Sequence, residues 1–127
     1  LINLTICEKM AVPIVWLEQP ENTLYPQIHG LCKGYHLIVD AILGTGLKGE
    51  LSSFYVALIS CINSLKIPIL AIDIPSGLDC DLGIPLPVCI EAAATVSFVA
   101  AKPGFFENGK TLPVLGDLYI ASIGIVD

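Results

Sequence analysis

With 127 residues, 54% of them hydrophobic and 14% charged, the chain has the length of one domain and an apolar balance; a length of that order closes a single core. Its apolar runs are short and broken by Asp40, Asp73, Glu91 or a proline, so none approaches the roughly 20 residues that cross a bilayer, and no membrane partner is expected. A net charge of −6, with six Lys and Arg in all and no basic run, excludes a phosphate-neutralising surface and with it a nucleic-acid partner.

Residues 1–10 read as the end of a helix. The chain begins on Leu1 rather than Met, so it is expected to be a fragment or a processed product. Residues 12–17 (V-P-I-V-W-L) form the first expected strand, and the turn-rich stretch 19–34 is expected to hold one short helix over 24–29. Residues 36–43 (H-L-I-V-D-A-I-L) form the second strand, ending at Gly44-Thr45-Gly46, which cannot comfortably extend it. Ser52 or Ser53 is the expected N-cap of a helix running to about Leu65, because Phe54, Ala57, Leu58, Cys61, Ile62 and Leu65 recur at the three-and-four spacing of one buried face. Residues 67–74, 92–101 and 117–125 complete the strands, the first two closed by Pro75-Ser76-Gly77 and Lys102-Pro103-Gly104.

Continuously apolar strands alternating with helical segments predict βαβ units and a parallel sheet wound by helices. Ligands of such sheets bind beyond the carboxyl ends of the strands. Three polar clusters fall there: 40–46, 73–79 and 102–104. The five cysteines, Cys7, Cys32, Cys61, Cys80 and Cys89, are odd in number and contain no C-x-x-C pair. They read as free thiols in a reducing, cytoplasmic compartment.

Asp40 interrupts an apolar strand, where an unpaired carboxylate costs several kcal/mol, so it requires a cation, a donor or water. Gly44, Gly46 and Gly49 after it permit tight turns and close approach of backbone N–H groups to an anion, although such a loop also serves packing alone. Asp73 breaks the next strand in the same way. Ser76 and Asp79 are also plausible turn caps. Asp79 and Asp81 lack the downstream Glu of a calcium loop. Lys102 stands at a strand end, where its ammonium meets a phosphate, a buried Asp or simply water. His29 and His36 are weak catalytic candidates, and Thr45 and Ser76 have no paired His to form a hydrolytic triad.

The strings D-A-I-L-G-T-G-L-K-G and A-I-D-I-P-S-G-L-D-C-D-L-G, with A-A-T-V-S-F-V-A-A-K-P-G beyond them, resemble the NAD(P)H-hydrate epimerase family, the YjeF N-terminal domain. The resemblance spans residues 1–127 and implies an α/β, Rossmann-like three-layer αβα fold with a mainly parallel sheet. It implies interconversion of the R and S epimers of NAD(P)HX, the hydrated form of NADH or NADPH. It further implies a potassium ion held by Asp40 and Ser76, and a substrate cradle of Gly44, Thr45, Gly46, Leu47, Lys48, Gly49 and Glu50. Asp73 is the expected catalytic acid/base and a substrate contact, and Lys102 an anion partner. The implied partners are NAD(P)HX and a fused or functionally coupled ADP/ATP-dependent NAD(P)HX dehydratase; a homodimer is compatible with the resemblance. The family's glycine-rich N-N-G-G-D-G loop, which supplies a further potassium ligand, is not in the sequence. The chain is therefore expected to be the C-terminal two-thirds of the domain with an open sheet edge, or a degenerate relative. A non-enzymatic interaction protein on the same fold and a generic nucleotide-binding module are the rival readings.

Overall fold

The computed structural model describes residues 2–17, 21–47 and 49–124. In chain order these form helix α1 (Ile2–Lys9), helix α2 (Leu24–Cys32), strand β1 (Ile38–Asp40), helix α3 (Ser53–Ser64) and strands β2 (Ile69–Ile72), β3 (Ala94–Phe98) and β4 (Asp117–Ala121). The strands make one sheet in the order β1-β2-β3-β4, every neighbouring pair parallel. This is the parallel α/β sheet that the apolar strands predicted and the Rossmann-like arrangement that the resemblance implied.

Pairing aligns Asp40 with Ala71 and Ala71 with Thr95, which puts these residues on one face of the sheet, since facing alternates along each strand. That face meets α2 and α3. The core between them holds Leu24, Ile28, Leu58, Ile59, Cys61, Ile62, Ile69 and Ala71. The spacing in 54–65 thus marked the correct helix face, with Ile59, fully buried, as an addition. Ser52 caps α3 by backbone conformation, and no hydrogen bond from its side chain closes the cap. Pro26 sits within the first turn of α2, where a missing N–H costs nothing because the helix leaves those donors unpaired. The helix therefore runs past Pro26 to Cys32 rather than stopping at 29. The opposite sheet face is less covered: Leu70, Ile72 and Val96 are half-buried, Val39 and Tyr119 exposed, and α1 buries none of its side chains.

Four of the five expected strands are present, each shorter than its apolar run. The fifth is a correction. Residues 12–17 form no strand; Val12, Val15 and Trp16 are 45%, 58% and 69% exposed. Hydrophobic, β-branched residues make a strand only against a partner that supplies the ladder, and Pro13 has no N–H to give one. The expected extension of the last strand to 125 ends outside the described residues. Among the described residues no strand pairs with the outer edge of β1. All five cysteines are free, and no described helix is long and apolar enough to cross a membrane.

A second core forms from Ile74, Leu78, Cys89, Phe105 and Leu115, with Leu118 of β4 packed against it. It welds the loop after β2 to the segment after β3. Gly83, at φ +66°, packs directly on Gly104, and the Gly104 N–H donates to the Cys80 carbonyl at 2.9 Å.

Candidate functional site

Asp40 is the last residue of β1 and 2% exposed. Its Oδ2 accepts the Ser76 N–H at 2.8 Å and its Oδ1 accepts the Ser76 hydroxyl at 2.6 Å. The Ile42 N–H reaches Oδ1 at 3.3 Å. The buried carboxylate is thus satisfied by donors, and Ser76 is its partner rather than a turn cap. Ser76 Oγ in turn accepts the Leu43 N–H at 2.9 Å and lies 3.2 Å from the Leu43 carbonyl. The conformation that delivers Ser76 to Asp40 requires Gly77, at φ +90° and against the Val88 carbonyl, a position no other residue fills without strain.

The segment after β1 is a run of bends and turns, with the Leu47 N–H on the Gly44 carbonyl at 3.3 Å. Ile42, Leu43, Gly44, Gly46 and Leu47 line a cleft of about 380 Å³. Gly44, Thr45, Gly46, Gly49 and Glu50 are exposed and Leu47 half-buried; Lys48 lies outside the described residues. A Cβ on Gly44 or Gly46 would meet nothing, and only Gly49 has a positive φ, of 81°. Neither packing nor a positive φ therefore requires glycine at 44 or 46.

Asp73 follows β2 directly. Its φ is +70°, and its flanking residues are joined by a hydrogen bond from the Ile74 N–H to the Ile72 carbonyl at 2.9 Å. This is a three-residue turn centred on a non-glycine residue in the left-handed region, a rare and strained form. Val99, one residue past the neighbouring β3, repeats it with φ +69° and an Ala100 N–H to Phe98 carbonyl bond of 2.8 Å. The carboxyl ends of both central strands are bent sharply at the mouth of the site.

Asp73 Oδ1 accepts Lys102 Nζ at 2.8 Å and the Phe98 N–H at 3.2 Å, and lies 3.3 Å from the Ser97 hydroxyl, whose one proton it shares with the Ala100 carbonyl at 3.2 Å. Burial alone pushes the carboxyl up. The Lys102 ammonium and the Phe98 and Ser97 donors outweigh it and hold the group below its ordinary value. Lys102 also reaches the Phe98 carbonyl at 3.4 Å. Of the partners open to it in the sequence, a phosphate, an Asp or water, the structure gives it the Asp.

Ser97, the Phe98 N–H and the strained Val99 were not marked in advance. A buried serine alternating with apolar neighbours in a strand was the available signal; the sharp turn left none, because Val99 reads as strand. Asp79 does cap its turn, accepting the Asp81 and Leu82 N–H groups at 2.8 Å each. His29 stacks on Tyr25 in α2, and His36 is exposed ahead of β1, so neither joins Asp40 or Asp73. No cluster of three or more His, Cys, Asp or Glu able to hold a metal occurs among the described residues. Asp40, Ser76 and the Leu43 carbonyl instead gather oxygens alone, a donor set suited to a hard cation.

Residues 2–104 match the family described as YjeF-related protein N-terminus. The bifunctional NAD(P)H-hydrate repair enzyme Nnr of Escherichia coli is 44% identical over 89 residues, covering 70% of this chain and 17% of that protein. The Coxiella burnetii enzyme of the same name is 37% identical over 119 residues, 94% of this chain and 22% of its own length. A bifunctional NAD(P)H-hydrate repair enzyme of Leishmania major is 41% identical over 91 residues, 72% of this chain and 16% of that protein. The chain thus spans only about a fifth of the length of these relatives. With most of its length matched, including both carboxylates and Lys102, the chain belongs to the YjeF-related protein N-terminus family.

Proposed function

We propose that this chain is the C-terminal two-thirds of an NAD(P)H-hydrate epimerase domain that interconverts the R and S epimers of NAD(P)HX. It would work within, or beside, a protein that also carries the dehydratase for the same metabolite. The observation supporting this is the conjunction of Asp40–Ser76 and Asp73–Lys102 at the carboxyl ends of adjacent parallel strands, beside an open glycine-rich loop. Sheets of this kind bind ligands there. The identity to NAD(P)H-hydrate repair enzymes supports this choice of substrate class.

In this reading the backbone of 44–47 lies along the substrate, with Gly49 and Glu50 continuing the cradle. The hydroxyl beside the ring nitrogen leaves as water after taking a proton, and the nitrogen lone pair forms a C=N bond, giving an iminium. Water adds to the same carbon from the other face and releases a proton, so the net change is inversion alone. We assign the acid/base role in this chemistry to Asp73, at the carboxyl end of β2. Asp40 and Ser76 would hold potassium, which supplies positive charge for a diphosphate in an acidic protein. The exposed ends of the cleft residues give the substrate access.

The test is the full-length protein incubated with pure R-NADHX, with and without potassium, and S-NADHX followed by chromatography. Asp73→Asn is expected to lower the rate by about 10²–10⁴-fold, the usual contribution of a positioned acid/base, with the folded circular-dichroism spectrum kept. An active Asp73→Asn protein overturns the role. Binding of NADHX without any conversion would favour the non-enzymatic reading.

A further inference from the structure

The two oxygens of Asp73 are treated differently by the fold. Oδ1 takes Lys102 Nζ and the Phe98 N–H and shares the Ser97 hydroxyl with the Ala100 carbonyl; Oδ2 has no hydrogen-bond partner among the described residues. Its backbone is equally constrained, held in the left-handed region between the Val96 carbonyl, which accepts the Asp73 N–H at 2.7 Å, and the turn that follows. Lys102 is anchored at the opposite end, with its Nζ also 3.4 Å from the Phe98 carbonyl and the Gly104–Gly83 contact fixing the chain two residues on. Both members of the pair are half-buried, at 19% exposure for Lys102 and 27% for Asp73. A half-buried charge pair is screened less than a fully exposed one.

We infer that Lys102 is a positioning residue for Asp73: it clamps Oδ1 and holds the carboxylate as an anion, so that Oδ2 meets the substrate unprotonated. Lys102 then acts through Asp73 rather than as the anion contact expected from the sequence. This rests on the epimerase reading and sharpens it. The resting Asp73 is an anion set opposite the positive charge that develops on the ring: it takes the proton released when water adds to the iminium, and the proton that the leaving hydroxyl needs comes from a water molecule. The groups facing Asp73 are few. From β3 come Ser97 and the Phe98 N–H, from the segment after β3 comes Lys102, and among the described residues no second charged side chain lies within ion-pair distance of it.

The experiment compares the full-length wild type with Lys102→Met and Lys102→Arg in two measurements. The first is kcat/KM for R-NADHX against pH. The wild type should be flat near neutrality and fall on acidification as Asp73 takes up a proton. In Lys102→Met the acid limb should move up by about 1–3 pH units, the span an opposite charge at this range exerts on a carboxylate. Lys102→Arg should return it close to the wild-type position. A Lys102→Met protein with an unmoved limb and a raised KM would make Lys102 a substrate contact and overturn the inference. So would a wild-type kcat/KM that rises on acidification, since a resting acid is then required. The second measurement is the carboxyl carbon NMR titration of Asp73 without substrate, which needs no activity. An upward move in Lys102→Met upholds the clamp even where the full-length protein converts no NADHX and the epimerase reading fails. An unmoved titration overturns the clamp whatever the activity. If Lys102→Met does not fold, Lys102→Gln replaces it in both.

Discussion

Asp40 and Asp73 are both acids at the ends of apolar strands, and their surroundings set them to different tasks. Asp40 is sealed at 2% exposure and bound on both oxygens by Ser76. Asp73 is held on one oxygen only. Truncating Asp40 should therefore be a stability event first. In Asp40→Ala the Ser76 hydroxyl turns to the Leu43 carbonyl, 3.2 Å away, but the Ser76 N–H keeps no acceptor in a buried site. The expected loss is about 1–3 kcal/mol, read as a lower urea midpoint with an unchanged slope. The need of each acid for a partner was plain from the sequence, since charge inside a strand must be compensated. Which partner each took was not, because Ser76 is 36 residues from Asp40 and Lys102 is 29 residues from Asp73, separations that only the parallel pairing of β1, β2 and β3 closes.

At the level of elements, the glycines divide into two kinds that composition cannot separate. Gly46 has open space where a Cβ would stand and no positive φ, whereas Gly104 is pressed on the Gly83 backbone. Gly46→Ala should keep or raise stability, by up to about 1 kcal/mol through the unfolded chain, while weakening NADHX binding in calorimetry. Gly104→Ala should do the reverse in kind, costing about 1–3 kcal/mol by overpacking and loosening the segment that carries Lys102. Equal destabilisation by the two substitutions would contradict this division. The shortfall of the strands has the same origin. Residues 12–17 and 99–101 carry strand-forming side chains, but a strand exists only where a neighbour pairs with it. Val99 is turned out of β3 by its positive φ.

The whole molecule ties its stability to pH through the Asp73–Lys102 pair. A carboxyl whose folded value lies below 3.8 binds fewer protons folded than unfolded around that pH. Its contribution to stability is complete above 3.8 and is lost as pH falls through the lowered folded value. Urea midpoints should fall on acidification below about pH 4, and the fall should be shallower in Lys102→Met, where the largest cause of the lowering is lost and the Phe98 and Ser97 donors remain.

The sequence by itself determined the α/β class, the parallel sheet, the buried face of α3 and the strand ends where the polar clusters lie. These follow from local periodicity and from the exclusion of uncompensated charge from apolar strands, both of which act over a few residues. Tertiary structure alone decided that Ser76 satisfies Asp40, that Lys102 takes Asp73 rather than water, and that residues 12–17 stay unpaired. It also chose Oδ1 of Asp73 for the clamp. Each of these depends on which distant segments the sheet register brings within hydrogen-bond range, a distance no spacing along the chain encodes.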